Sequence, residues 1–159
     1  MNPCPCGYYG DPFHKCTCPS SLVSRYQRRI SGPFLDRVDI FIEVPHIDYE
    51  KLSDDRLGEK SKRVQDRVNA ARSRQHKRFE GTMLASNNEM SPIEVREFCQ
   101  TEDAAQSLLK AAMKQLHLSA RAFHRILKLA RSIADLENSD IIRANHIAEA
   151  IQYRPRRVV

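Results

Sequence analysis

The sequence predicts a mainly α-helical protein with one β-strand, and three observations predict it. Apolar residues recur at spacings of three and four over most of the chain after residue 45, as on one face of a helix. Residues 38–44, Val-Asp-Ile-Phe-Ile-Glu-Val, form the one convincing strand pattern. Residues 3–19 are rich in turn formers and lack an apolar period, which predicts a loop.

The first elements predicted after this loop are a short helix and the strand. Ser20 and Ser21 are expected to cap the helix, whose apolar side carries Leu22, Val23, Tyr26 and Ile30 before Gly32-Pro33 ends it. A lone strand must join a sheet supplied from elsewhere. We therefore expect sequence upstream of Met1 and interpret the chain as a fragment.

The rest of the chain is predicted to be helical. A long helix has a narrow apolar stripe at Leu57, Val64, Val68 and Ala71. Four further helices, joined by short loops, predict a small bundle with its own core. They begin at Ser91, Thr101 and Ser119 and include a last helix around Ile147, Ala148 and Ile151. The predicted divisions are residues 1–45, then 46–90 with the long helix, then the bundle at 91–159.

The composition is that of a soluble globular protein, with 41% hydrophobic and 29% charged residues among 159. No apolar run is long enough to cross a bilayer, so we expect a cytoplasmic protein without a membrane partner. The net charge of +6 is concentrated between residues 56 and 78, where nine lysines and arginines face two acids. This stretch is either a solvated face of a helix or a contact for DNA phosphates.

Five cysteines fall into a group of four and a single residue. Cys4, Cys6, Cys16 and Cys18 form two C-x-C pairs separated by nine residues. Two interpretations stay open for them: a tetrahedral zinc site made of four thiolates, or a flexible loop of free cysteines. Cys99 lies in an apolar helical stretch, and we predict that it is a small core residue.

Arg121 is the residue of the bundle that a structural role explains least well. It falls in the first turn of its predicted helix, where the helix dipole disfavours a positive charge. A bound phosphate would offset that cost, because a helix amino terminus already offers free N–H groups to an anion. The alternative is an arginine that is solvated or salt-bridged.

Four ordered motifs resemble one protein family. They are NPCPCGYYGDP at 2–12, SRYQRRISGPFLDRVDIFIEVP at 24–45, LSARAFHRILKLARSIADLE at 118–137 and HIAEAIQYR at 146–154. Together they resemble the carboxy-terminal part of the magnesium-chelatase-like AAA+ ATPases of the ComM type. The resemblance implies that residues 1–45 are the remnant of an α/β AAA+ core, comprising one strand and short helices, followed by an α-helical lid bundle.

The resemblance also implies roles for three residues in a site for ATP and Mg²⁺. Asn2 corresponds to the first sensor residue, which orients the attacking water; otherwise it is an ordinary turn asparagine. Arg37 corresponds to the arginine finger that one subunit inserts into its neighbour's site; otherwise it pairs with Asp36 or Asp39. Arg121 corresponds to the second sensor, on the lid.

The whole protein implied by the resemblance is an ATPase that assembles with itself into a ring, expected to be a hexamer. Such proteins are associated with helicase-like branch migration of DNA during uptake of transforming DNA. The sequence contains no G-x-x-x-x-G-K-[ST] motif, and the match begins after the Walker A and Walker B segments. This chain alone is therefore expected to be inactive.

Two other functions remain open at this point. One is the ATPase subunit of a true magnesium chelatase, which inserts the metal into a porphyrin. The other is a zinc-containing nucleic-acid-binding module without motor activity, which the cysteine loop would supply.

Overall fold

The computed structural model describes residues 2–35, 37–42, 44 and 58–154, with the side chains of residues 32 and 33 left aside. The chain forms two compact units, Met1–Val38 and Asp39–Val159. Helices account for almost all of the regular secondary structure in the described residues. The prediction of a mainly α-helical protein is therefore confirmed.

The first unit consists of a cysteine-containing loop followed by helices α1, Ser20–Gln27, and α2, Gly32–Leu35. Pro19 occupies the amino-terminal cap of α1, without a side-chain cap bond, so the predicted caps at Ser20 and Ser21 are wrong. Pro19 supplies a carbonyl instead, which accepts from the Leu22 N–H at 2.9 Å. Cys4 and Val23 are the buried apolar residues of this unit. The side-chain amide of Gln27 donates to the Pro3 carbonyl at 3.2 Å, which ties α1 to the loop.

The predicted strand at 38–44 is not found. Residues 38–42 and 44 have no regular structure, and the side chains of Ile40, Ile42 and Val44 are exposed. A strand needs a neighbouring strand to satisfy its backbone groups, and the described part of the chain contains none. The Phe41 N–H donates instead to the Tyr153 carbonyl at 2.9 Å. The α/β core predicted for residues 1–45 is thus not seen as a sheet.

The second unit is a helical bundle, which contains the four helices predicted after residue 91 and also the long basic helix. Its helices are α3, Ser61–Arg78; α4, Pro92–Phe98; α5, Asp103–Gln115; α6, Ala120–Leu136; and α7, Ala144–Gln152, with a 3₁₀ turn at Asn87–Glu89. The Ser91 hydroxyl accepts from the Ile93 N–H while the Glu94 carboxylate accepts from the Ser91 N–H, a capping box that starts α4. The Ser119 hydroxyl starts α6 by accepting from the Ala122 N–H at 3.2 Å.

The core of the bundle lies around α6, which contacts α3, α4 and α7. The regular apolar pattern predicted for this helix is confirmed, since Ile126, Ala130 and Ala134 are almost completely buried. Cys99 is also buried in this core, as predicted. An isolated parallel bridge between Thr101 and Ile142 joins the segments that precede α5 and α7.

None of the helices in the described residues is both long enough and apolar enough to cross a membrane.

Candidate metal centre and nucleotide-sensing residues

The four cysteines of the first unit form one cluster. Their Sγ atoms all lie within 4.8 Å of one another. The Sγ of Cys4 is 3.3 Å from that of Cys6 and 3.7 Å from that of Cys16, and Cys6 and Cys16 are 3.6 Å apart. All five cysteines of the chain are free thiols. Tetrahedral zinc with bonds of about 2.3 Å places its sulfurs about 3.8 Å apart, so this donor set fits zinc.

The loop turns tightly at two glycines to bring the cysteines together. The Gly7 N–H donates to the Cys4 carbonyl at 3.0 Å, which closes a turn that contains Cys4 and Cys6. Gly7 and Gly10 have φ values of +88° and +83°, a region in which other residues are strained. The glycine after the first C-x-C pair is therefore required by the backbone conformation of the turn, whereas the two cysteines supply the thiols.

The electrostatics of the cluster favour a bound cation. Backbone N–H groups of Tyr8 and Thr17, together with the Cys4 thiol, lower the pKa of Cys6 to about 6. The pKa of Cys16 is lowered by the N–H of Cys18, but desolvation and the thiols of Cys6 and Cys4 outweigh this and raise it to about 12. Four thiolates repel one another when nothing neutralises them, whereas a divalent ion stabilises all of them.

Asn2 and Arg37 belong to the first unit. Asn2 is exposed. Its side-chain amide lies near Gly7, since the Nδ2 would be 3.8 Å from a Cβ atom added to that glycine. Arg37 is exposed just after α2, and its N–H donates to the Phe34 carbonyl at 2.9 Å. Asp36 lies outside the described residues. The sensor and arginine-finger roles of these two residues stay predictions.

Arg121 belongs to the second unit and is exposed in the first turn of α6, which contains no acidic residue. One turn later, the Nε of Arg125 donates to the Asp39 carboxylate at 2.5 Å. Within the described part of the chain, the buried Nδ1 of His124 has no hydrogen-bond partner. Sequence reasoning missed Arg125 and His124, although both follow Arg121 at helical spacing. The second-sensor role of Arg121 stays a prediction.

The basic residues of α3 divide into structural and exposed ones. Arg74 bonds to Asn138 and Asp140, and Arg78 bonds to Asp135, so both point towards the bundle. Arg67 pairs with Glu59 and Lys62 with Asp66 on the surface. Four exposed cations of this region form no ion pair within the described residues: Lys60, Arg63, Arg72 and Lys77. The positive charge that α3 presents to solvent is therefore smaller than the sequence of residues 56–78 indicates, because Arg74 and Arg78 pair with carboxylates of the bundle.

A buried polar network, which sequence reasoning also missed, fixes α3 against α6. The Asp135 carboxylate accepts from Arg78 at 2.8 Å and from the Asn87 side-chain amide at 2.9 Å, and it pairs with Arg131 at 3.2 Å. Arg131 also donates to the Asp140 carbonyl at 2.6 Å. Desolvation lowers the pKa of Arg131, and Asp135 opposes that shift. The i, i+4 spacing of Arg131 and Asp135 was the available sequence signal.

Two family models match the chain. One, described as magnesium chelatase, subunit ChlI C-terminal, matches residues 58–154. The other, described as magnesium chelatase, subunit ChlI, matches residues 1–52.

Curated relatives match almost the whole chain. The chain is 43% identical over 155 residues to the uncharacterized protein YifB of Escherichia coli K12, and 42% identical over 156 residues to the competence protein ComM of Haemophilus influenzae. An uncharacterized protein of Mycobacterium bovis is 32% identical over 153 residues. The first two alignments cover 97% of this chain and 29% of each relative, and the third covers 96% and 30%. The chain therefore spans about three tenths of the length of these relatives.

Proposed function

Because this chain belongs to the magnesium chelatase ChlI family, we propose that it forms the nucleotide-sensing and lid part of an ATP-driven ring motor that acts on DNA. The observation that carries the proposal is the start of α6. Arg121 is exposed there in a first turn without an acidic residue, and a bound phosphate would offset both its charge and the positive end of the helix dipole. Three residues after Arg121, the buried Nδ1 of His124 has no hydrogen-bond partner among the described residues.

In this proposal three residues act on ATP bound with Mg²⁺. Asn2 orients the attacking water, and Arg121 couples the position of the lid to the nucleotide state. Arg37, which is exposed, enters the site of a neighbouring subunit and stabilises charge on the transferring phosphoryl group. An arginine finger of this kind changes the rate by about 10³ to 10⁵. The role of Arg37 requires a homo-oligomeric ring, which we propose to be a hexamer.

The cysteine cluster holds structural zinc in this proposal. Its four thiolates fill a tetrahedral coordination shell and leave no open position for a substrate. Bound zinc supplies a cross-link rather than a reaction step. The turns at Gly7 and Gly10 and the N–H groups that face Cys6 orient the ligands.

The proposed DNA contact on the bundle consists of exposed cations of α3 and of Lys60, which caps it. Lys60, Arg63, Arg72 and Lys77 are the residues assigned to phosphates, since the other described cations of the helix have carboxylate partners. Each neutralised phosphate adds to the salt dependence of binding. The name of the Haemophilus relative, a competence protein, agrees with a motor that handles DNA.

The test is DNA-stimulated ATP turnover by the complete gene product. We expect Arg37→Ala to lower turnover by about 10³-fold or more and Arg121→Ala to uncouple turnover from DNA. Arg96→Ala is the matched control, because Arg96 is an exposed arginine on α4. Arg37→Lys should not restore activity, since an ammonium cannot reproduce the planar fork of a guanidinium. Unchanged turnover in both alanine variants would overturn the proposal.

A second candidate is the ATPase subunit of a true magnesium chelatase, which the descriptions of both family models favour. The same gene product separates the two functions. ATP turnover that responds to DNA and not to a porphyrin substrate supports the DNA motor, and the reverse response supports the chelatase. A protein that binds DNA but no ATP would instead be the zinc-containing nucleic-acid-binding module without motor activity.

A further inference from the structure

The loop between the two cysteine pairs exposes three aromatic rings that neither zinc binding nor nucleotide sensing uses. The exposed fractions are 44% for Tyr8, 48% for Tyr9 and 66% for Phe13. Large rings gain free energy on burial, and aromatic residues are enriched at binding surfaces. Three of them within six residues make this tip, residues 7–15, a candidate contact surface.

Local contacts order the backbone of the tip and one of its three rings. The Asp11 carboxylate accepts from the N–H groups of Phe13 and His14 at 2.7 and 2.8 Å. The rings of Tyr8 and His14 stack, with centroids 4.9 Å apart and planes 26° apart. The cysteine cluster closes the base of the loop on both sides. A surface ordered in advance loses less conformational entropy when it binds.

The charge of the first unit indicates an anionic partner. Residues 1–38 contain five lysines and arginines and two acidic residues. A groove beside α1 is lined by Pro5, Leu22 and Tyr26 together with Arg25 and Arg29. The guanidinium of Arg29 lies 5.9 Å from the centre of the Tyr26 ring. Apolar and aromatic groups flanked by arginines suit a ligand that has both flat rings and phosphates.

We propose that the tip and this groove bind single-stranded DNA. Bases stack on Tyr9 and Phe13, and phosphates pair with Arg25 and Arg29. A single strand fits better than a duplex because only unpaired bases present their faces to aromatic side chains. A purely acidic protein surface would use the arginines but would leave the exposed rings without a role. The inference rests on the proposed function only for the choice of DNA as the nucleic acid.

The test is fluorescence anisotropy of the zinc-loaded chain with a labelled oligothymidine strand of about 15 nucleotides, and with a duplex of similar length. We expect Phe13→Ala and Tyr9→Ala each to weaken single-strand binding about tenfold, and Phe13→Trp to retain it. Phe34→Ala is the matched control, since Phe34 is 56% exposed but lies on α2. Arg25→Gln and Arg29→Gln should each reduce the slope of log affinity against log salt by about 0.7.

Zinc content and circular dichroism of each variant show whether the fold is retained. The inference is overturned if the folded Phe13→Ala chain binds the strand as tightly as the parent, if Phe34→Ala loses as much, or if the parent prefers the duplex. Binding here needs no ATP. A failure of this test therefore leaves the motor proposal standing, whereas turnover that is independent of Arg37 and Arg121 overturns the motor proposal and not this one.

Discussion

The two units of the chain are stabilised by different means. The bundle has a core of fourteen buried residues around α6. In the described residues of the first unit, Cys4 and Val23 are the buried apolar side chains. Segments shorter than about 40 residues seldom bury enough surface to fold without a cross-link or a metal. The hydrophobic effect therefore stabilises the second unit, whereas the first unit depends on the cross-link that we propose a metal at the cysteine cluster supplies.

The largest expected effect is on the first unit alone. Chelation of zinc, or Cys6→Ser, should abolish the native NMR signals of residues 2–19 and leave the melting of the bundle unchanged. Metal analysis should fall from about one zinc per chain to none. Cys99→Ala is the control, because Cys99 lies in the bundle core and should leave the zinc content unchanged. A parent chain that folds its loop without metal would contradict the comparison.

The next effect is on the polar part of the bundle. Asp135→Ala should lower the free energy of unfolding by about 3 to 5 kcal/mol, because it leaves Arg78 and Arg131 without their buried partner. Asp140→Ala, at a carboxylate that is 99% exposed, should cost at most about 1 kcal/mol. Urea denaturation followed by circular dichroism measures both. Equal effects would show that burial does not distinguish the two pairs.

A pH effect follows from Cys99. Desolvation raises the pKa of its thiol to about 11, whereas the thiol of the unfolded chain ionises near 8.5. Its contribution to stability is therefore complete below about pH 8.5 and is lost as the pH rises towards 11. The loss should reach about 1.4 kcal/mol per pH unit. Urea titrations at several pH values should show that the free energy of unfolding falls less steeply with pH in Cys99→Ala than in the parent. Equal pH dependence in the two proteins would contradict a raised pKa for Cys99.

The smallest effect is expected at the ion pair between Arg125 and Asp39. Asp39 is 48% exposed, so Asp39→Asn should cost at most about 1 kcal/mol. Thermal melting of the bundle, with Asp103→Asn as a control on α5, measures the cost. If Asp39→Asn lowered the free energy of unfolding by more than about 2 kcal/mol, the ion pair would stabilise the bundle as much as a buried residue does, which would contradict this prediction.

The features that the sequence predicts well depend on neighbouring residues. The apolar period of α6 and the two C-x-C pairs are local patterns, and both the helix and the cluster are found. The failures depend on distant partners. Residues 38–44 have the composition of a strand, but a strand forms only when a neighbouring strand accepts and donates its backbone hydrogen bonds. The basic pattern of α3 could not show which arginines are used internally, because Asp135 is 57 residues from Arg78.

The unequal exposure of α3 has a mechanical consequence. Every residue from 61 to 70 is exposed, and the first buried residue of the helix is Ala71. At about 1.5 Å per residue, this exposed half is about 15 Å long. Rotation of about 10° at Ala71 would displace Ser61 by about 2.6 Å. The ion pairs of Arg74 with Asp140 and of Arg78 with Asp135 hold the other half of α3, so a change at these contacts would move the charged amino-terminal half of the helix.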